Sequence, residues 1–230
     1  MNVIFRAFAA TVTAMLLSLP AGAVSLADLS NKDTAAGLKE ALTKGSQAAV
    51  AALGKENGFL GNDKVKIPLP ESLHKVEGMM RKLGMGKYAD ELVTTMNRAA
   101  ESAVVEAKPL LVNAVKNMSV QDAKGILTGG QDAATQYFKR TTSVPLADKF
   151  LPIVKKATQK VKLADKYNEF AGKGAKFGLI DAKDADLNTY VTQKALDGLF
   201  VMVAEEEKKI RQDPVGTASS IISKVFGAIK

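Results

Sequence analysis

The stretch 184–211, DADLNTYVTQKALDGLFVMVAEEEKKIR, decides how the rest of this 230-residue chain must be arranged. Projected at roughly 100° per residue, Val191, Ala195, Leu199 and Met202 form one apolar stripe. Leu196, Phe200, Val201 and Val203 then fill the directions that a surface helix would leave polar. A helix that is apolar all round needs neighbours all round, so 184–211 reads as a central, buried helix. Its unbroken apolar run, 199–204, is far shorter than the roughly 20 residues of a membrane span, so those neighbours are protein segments. From Glu205 the composition turns to Glu206, Glu207, Lys208, Lys209 and Arg211, where the helix is expected to leave the core, its basic residues suited to the C-terminal dipole. Lys194 and Asp197, one turn apart on so buried a helix, are expected to form a structural ion pair, because buried charges must be paired.

Outward from this helix, the regular periodicity is helical. Leu38, Ala41, Leu42, Ala49, Val50 and Leu53 recur at three- and four-residue steps after Asp33, and Gly54 is expected to close that helix in a left-handed conformation. Residues 55–70 lose the period. Asn57-Gly58, Gly61-Asn62 and Ile67-Pro68-Leu69-Pro70 predict an extended excursion over the surface. A helix over 71–83 stops at Gly84 and Gly86, and the next one carries the stripe Leu92, Met96, Ala99, Ala100, Ala103, Val104 and Ala107, with Asn97, Arg98 and Glu101 pointing away from it. Pro109 breaks or kinks this helix; Ser119 and Asp122 form the pattern of a capping box, and Gly129-Gly130 is a further break. After a helix over 133–140, Pro145 is expected to start a new one, kinked at Pro152, whose inner face is Leu146, Phe150, Ile153, Val154, Ala157 and Val161. Helices over 163–171 and 217–226 complete the prediction: an all-α, single compact multi-helix domain of about eight helices around the central buried helix 184–211.

The N-terminus places Arg6 before an apolar run, 7–19, followed by Pro20 and Ala21-Gly22-Ala23. That three-part pattern predicts a signal peptide over 1–23 with cleavage after Ala23, a mature domain over 24–230, and a periplasmic location. No transmembrane span is expected after cleavage, and with no cysteine in the chain neither a disulfide nor a lipidated cysteine can stabilise or anchor it. Of 32 basic and 24 acidic residues, only Arg6 falls in the signal, which leaves the mature chain at +7. Residues 149–176 hold eight lysines against Asp165 and Glu169, so a local +6 carries nearly all of that excess. Lys149, Lys155, Lys156, Lys160 and Lys162 fall opposite the apolar face of their helix and form the candidate binding surface. For an exported protein, the anionic partners are lipid head groups or an acidic envelope component. Nucleic acid is excluded by compartment and by the scarcity of stacking aromatics, 6% with no Trp.

Five strings carry a resemblance: Gly37-Leu38-Lys39-Glu40-Ala41-Leu42, Ile67-Pro68-Leu69-Pro70, Met96-Asn97-Arg98-Ala99-Ala100-Glu101, Ala134-Thr135-Gln136-Tyr137-Phe138 and Lys194-Ala195-Leu196-Asp197-Gly198-Leu199-Phe200. Together, in this order and over almost the whole mature chain, they resemble the bacterial exported proteins catalogued as domain of unknown function 4197. The resemblance implies a helical exported protein of a Gram-negative envelope. It implies no activity and assigns no residue a role.

The candidates for chemistry are few. Ser72-Leu73-His74-Lys75 fits Ser-x-x-Lys, but the Ser-Asp-Asn and Lys-Thr-Gly strings that accompany it in acyl-transfer enzymes are missing, and a solvated first helical turn explains it better. His74 is the only histidine, which leaves no His-based metal site and no triad. Asp181, Asp184, Asp186 and Asn188 have short oxygen-ligand spacing, yet Thr189 and Ala195 stand where a calcium loop needs its glycine and bidentate glutamate, so Asp184 or Asp186 is expected to cap a helix. Asn97, Arg98 and Glu101 form a polar cluster that suits either a solvated pair or a site for a carboxylate or phosphate. The sequence therefore predicts no cofactor, no metal and no enzyme of a familiar type. It favours a non-catalytic binding or interaction protein with a basic face, the alternatives being an apolar-ligand (lipid) binding protein or a carboxylate-based enzyme without a recognisable motif.

Overall fold

A computed structural model describes residues 31–161, 164–165, 167–168 and 186–213, apart from the side chains of 31–33, 75 and 76. These residues form α1 (Asn31–Leu53), α2 (Glu71–Lys82), α3 (Gly86–Val104), α4 (Ala107–Lys116), α5 (Val120–Thr128), α6 (Ala133–Thr158) and α7 (Leu187–Gln212), with no strand among them. The fold is all-α. The expected signal peptide, the helix over 217–226, and Lys162, Asp181 and Asp184 lie outside the described residues; of the helix expected over 163–171 only 164–165 and 167–168 are described, and these are helical.

The stripes read from the sequence are the core. Leu38, Leu53, Leu92, Met96, Leu111, Leu146, Phe150 and Leu199 are fully buried, and α6 packs against both α7 and α3. At about 25 cal/mol per Å² of apolar surface removed from water, side chains of this size each contribute about 1.5–3 kcal/mol. Helix starts also follow the sequence: Ser119 and Asp122 make a capping box, with Asp122 N–H donating to Ser119 Oγ at 3.0 Å. Asp186 caps α7 by accepting from Thr189 N–H at 2.8 Å.

Four expectations are corrected. First, α7 is not apolar all round: Lys194 and Asp197 are exposed and Val201 is 41% exposed, so the expected buried ion pair does not form. Asp197 instead accepts from Gln193 at 2.9 Å, and Lys194 Nζ lies 5.7 Å from the Tyr190 ring centroid. Second, Pro145 does not start a new helix; it lies, like Pro152, inside the continuous α6. Each proline removes the N–H owed to the carbonyl four residues earlier, on Thr141 and Asp148; all four residues are exposed, so water reaches what is left unpaired. Third, residues 55–70 are an inserted segment rather than a surface excursion. Phe59, Val65, Ile67 and Leu69 are buried while Lys64, Lys66 and Pro68 are exposed, an alternation of period two. Fourth, Gly54 is not left-handed; that conformation belongs to Asn57, at φ 62°, and to Gly84, at φ 74°.

The inserted segment also fixes the relative directions of the helices. Phe59 lies against Glu101 of α3 and Gly198 of α7, and further along the segment Ile67 bonds Asn97 of α3 while Pro68 accepts from the Tyr190 hydroxyl of α7. Both helices are met in descending number, so α3 and α7 run parallel. A Cβ at Gly198 would come 2.6 Å from Phe59 Cε1, so the absent side chain is what lets the segment approach. Helix α6 runs the other way, its start at Glu207 and its last turn at Asn188. The N-termini of α3 and α7 and the C-terminus of α6 therefore share one end of the bundle.

Candidate functional site

The polar cluster of α3 turns out to be a clamp. Asn97, fully buried, accepts from Ile67 N–H at 2.8 Å and donates to Ile67 C=O at 2.9 Å and to Val93 C=O at 2.8 Å, pairing with the inserted segment as a neighbouring strand would. Glu101, 4% exposed, accepts from Phe59 N–H at 3.0 Å and Leu60 N–H at 3.1 Å on one oxygen and from Arg98 at 2.6 Å on the other. Arg98 continues outward to Glu56 Oε1 at 3.1 Å and Asn57 Oδ1 at 3.0 Å, and its guanidinium is held above its usual pKa chiefly by the bond to Glu101. Asn97 and Glu101 were expected to point away from the buried stripe. They point into it because the backbone N–H and C=O groups of a segment without secondary structure must be paired once buried. A cluster already saturated in this way has no free donor fork for a carboxylate or phosphate.

A second clamp was not foreseen. Glu207 lies where α7 was expected to leave the core, yet its side chain is 4% exposed. It accepts from Ala134 N–H at 3.0 Å, Thr135 N–H at 2.9 Å and the Thr135 hydroxyl at 2.9 Å, so it caps the start of α6 from another helix. Arg211 closes the group at 2.8 Å from Glu207 Oε1 and also donates to Ile126 C=O at 2.9 Å. The carboxylate sits where the α6 dipole favours negative charge. Neither glutamate is placed for acid–base work on a carboxylate pair. Each already spends both oxygens on the fold, one on the inserted segment and the other on the start of α6.

Lys149, Lys155 and Lys156 are exposed on the outer side of α6 and Lys160 is exposed just beyond it, while Leu146, Phe150 and Val154 are buried beneath. Leu151, 40% exposed, shares that outer side and borders a groove of about 350 Å³ whose walls include Lys155, Thr158, Asn168, Asp186 and Asn188. Lys162 lies outside the described residues.

The other candidates resolve simply. Exposed Ser72 has its oxygen 3.1 Å from the Tyr167 hydroxyl, and His74 Nε2 lies 3.1 Å from Leu69 C=O. His74 borders a second groove of about 350 Å³ between α2, α3 and the inserted segment, shared with Lys66, Glu77, Arg81 and Asp90. The gap lined by Leu38, Leu42, Ile126, Ala134 and Ile210 measures about 10 Å³, room for at most a water rather than an acyl chain.

A family model for a protein of unknown function, DUF4197, matches residues 28–227. The chain belongs to the DUF4197 family. That match spans every element described above, so both clamps and the lysine face belong to the family's domain in this chain. No curated protein and no solved structure matches it. Membership of DUF4197 brings no activity with it, and the functional reading rests on the surfaces alone. No helix among the described residues is long and apolar enough to cross a membrane.

Proposed function

We propose that this protein is an exported, periplasmic, non-catalytic binding protein that docks on anionic phospholipid head groups through the outer face of α6. One observation carries the reading: Lys149, Lys155, Lys156 and Lys160 are all exposed, while the apolar side of the same helix is committed to the core. Such a face binds without inserting. Its attraction comes from lysines held near an anionic surface and is screened over a Debye length of about 8 Å at physiological salt. A Lys-rich face can also serve solubility, and the two roles separate by experiment. Co-sedimentation with phosphatidylglycerol vesicles at low salt is the expected result, falling steeply as salt rises and lost when Lys155, Lys156 and Lys160 are changed to Glu. Absence of binding at low salt, or binding indifferent to both salt and charge reversal, refutes the reading. The export half is checked by N-terminal sequencing of protein from an envelope fraction, which should begin at Val24.

A further inference from the structure

We propose that the turn between α2 and α3 is a lipid-contacting tip, with Met79, Leu83, Met85 and Tyr88 seated in the interface of an anionic bilayer and Lys82 and Lys87 against its head groups. Of the nine large apolar side chains that the described residues leave exposed, these four fall within residues 79–88, at 64%, 73%, 44% and 42% exposure. Single exposed apolar residues are ordinary, whereas a cluster of them on one projection marks a contact surface. The fold does not require them. Among the described side chains of α2 none is buried, and the helix is tied to α3 by Arg81, which bonds Glu77 at 2.8 Å and Asp90 at 2.6 Å. Gly84, at φ 74°, turns the chain with nothing within 4 Å of where its Cβ would be.

Charge decides the occupant. Residues 79–88 contain Arg81, Lys82 and Lys87 and no carboxylate; the flanking Glu77 and Asp90 are both engaged by Arg81, and the exposed Glu91 follows one residue further along α3. Lys87 Nζ lies 5.1 Å from the centroid of the Tyr88 ring, which joins a cation to an amphipathic aromatic of the kind that membrane interfaces favour. A second copy of the tip would bring like charges together, whereas an anionic bilayer offers apolar depth and negative head groups at once. The position agrees. The tip precedes α3 at the end of the bundle where α6 finishes with Lys155 and Lys156, Lys160 following just beyond it. The inference goes beyond the docking reading, since lysines on α6 bind from outside while the tip enters.

The chain contains no Trp, so Leu83→Trp installs a single reporter. On phosphatidylglycerol vesicles its emission should shift to the blue and be quenched by brominated acyl chains, with neither effect on phosphatidylcholine alone. Leu83→Asp with Met85→Asp should weaken vesicle affinity by about tenfold or more at unchanged helix content, since two apolar side chains lose their burial. Vesicle-bound protein with solvent-exposed emission overturns the tip and leaves the α6 reading intact. A blue shift that needs no vesicles and follows a doubling of mass also overturns it, in favour of self-association. A blue shift that survives charge reversal at Lys155, Lys156 and Lys160 supports the tip while the α6 reading fails.

Discussion

Two buried glutamates in this molecule do the same chemistry on different objects. Glu207 and Glu101 each accept two backbone N–H groups and one arginine, but Glu207 holds the start of α6, whereas Glu101 holds a segment without regular structure. Their arginines differ as well: the side chain of Arg211 is 14% exposed and that of Arg98 is 35% exposed. A helix is cooperative, so a lost cap at its first turn is felt along its length, while a segment can lift locally. The comparison teaches that two backbone N–H groups and an arginine, to which Glu207 adds the Thr135 hydroxyl and a second bond from Arg211, do not alone set what a buried carboxylate contributes. What it holds in place, and whether its partner can be rehydrated, does.

The largest expected effect is therefore at Glu207. Glu207→Ala removes the carboxylate that faces Arg211 in a mostly buried site and leaves Ala134 and Thr135 N–H without their acceptor, for a loss of about 3–5 kcal/mol. Glu207→Gln keeps one acceptor oxygen and should lose about 1–2 kcal/mol. Urea unfolding followed by circular dichroism measures both. An alanine variant within 1 kcal/mol of the parent would mean that water caps α6 as well as the carboxylate does.

Much of this architecture was legible in the sequence, and the parts that were not share a cause. The stripes Leu38–Leu42–Ala49–Leu53 and Leu92–Met96–Ala99–Ala103 are visible because burial imposes the helical period on residue type. The lysine face is visible because charge is written in the letters. The clamps are not, since Asn97, Glu101 and Glu207 are paired with main-chain groups 30, 42 and 73 residues away in sequence, and backbone donors look alike in every residue. Segment 55–70 did carry a signal, the alternation Val65-Lys66-Ile67-Pro68-Leu69, which its prolines outweighed. Pro145 likewise suggested a helix start inside α6, because the sequence does not show that this proline faces water.

Glu101 sharpens the comparison at an intermediate size. Glu101→Ala unpairs Phe59 and Leu60 N–H, at about 1–3 kcal/mol, while Arg98 can turn further into solvent. Amide exchange at Phe59 and Leu60 should accelerate before the amides of α6 and α7, and the urea midpoint should move less than in Glu207→Ala. Equal global losses in the two variants would show that the inserted segment unfolds only with the whole bundle, and the distinction drawn above would fall.

The smallest effect belongs to a third carboxylate that does the same work in solvent. Asp122 caps α5 from within, taking the Ser119 hydroxyl at 2.6 Å and Ser119 N–H at 3.2 Å, with Arg140 at 3.1 Å. The Ser119 hydroxyl, chiefly, holds its carboxyl below the ordinary aspartate range, helped by the Ser119 N–H and by Arg140 and opposed by partial burial. Because the folded state favours the ionised form, this contribution is complete above the unfolded aspartate value and is lost as pH falls through the depressed folded value. Asp122→Asn removes it. The variant should be about 0.5–1 kcal/mol less stable near neutral pH, as expected for an exposed cap, and the gap to the parent should close in acid. Urea midpoints of both proteins across an acid series give that difference directly. A gap that stays constant or widens as pH falls would show that the Asp122 charge contributes nothing, and that Glu101 and Glu207 must be compared by what they hold alone.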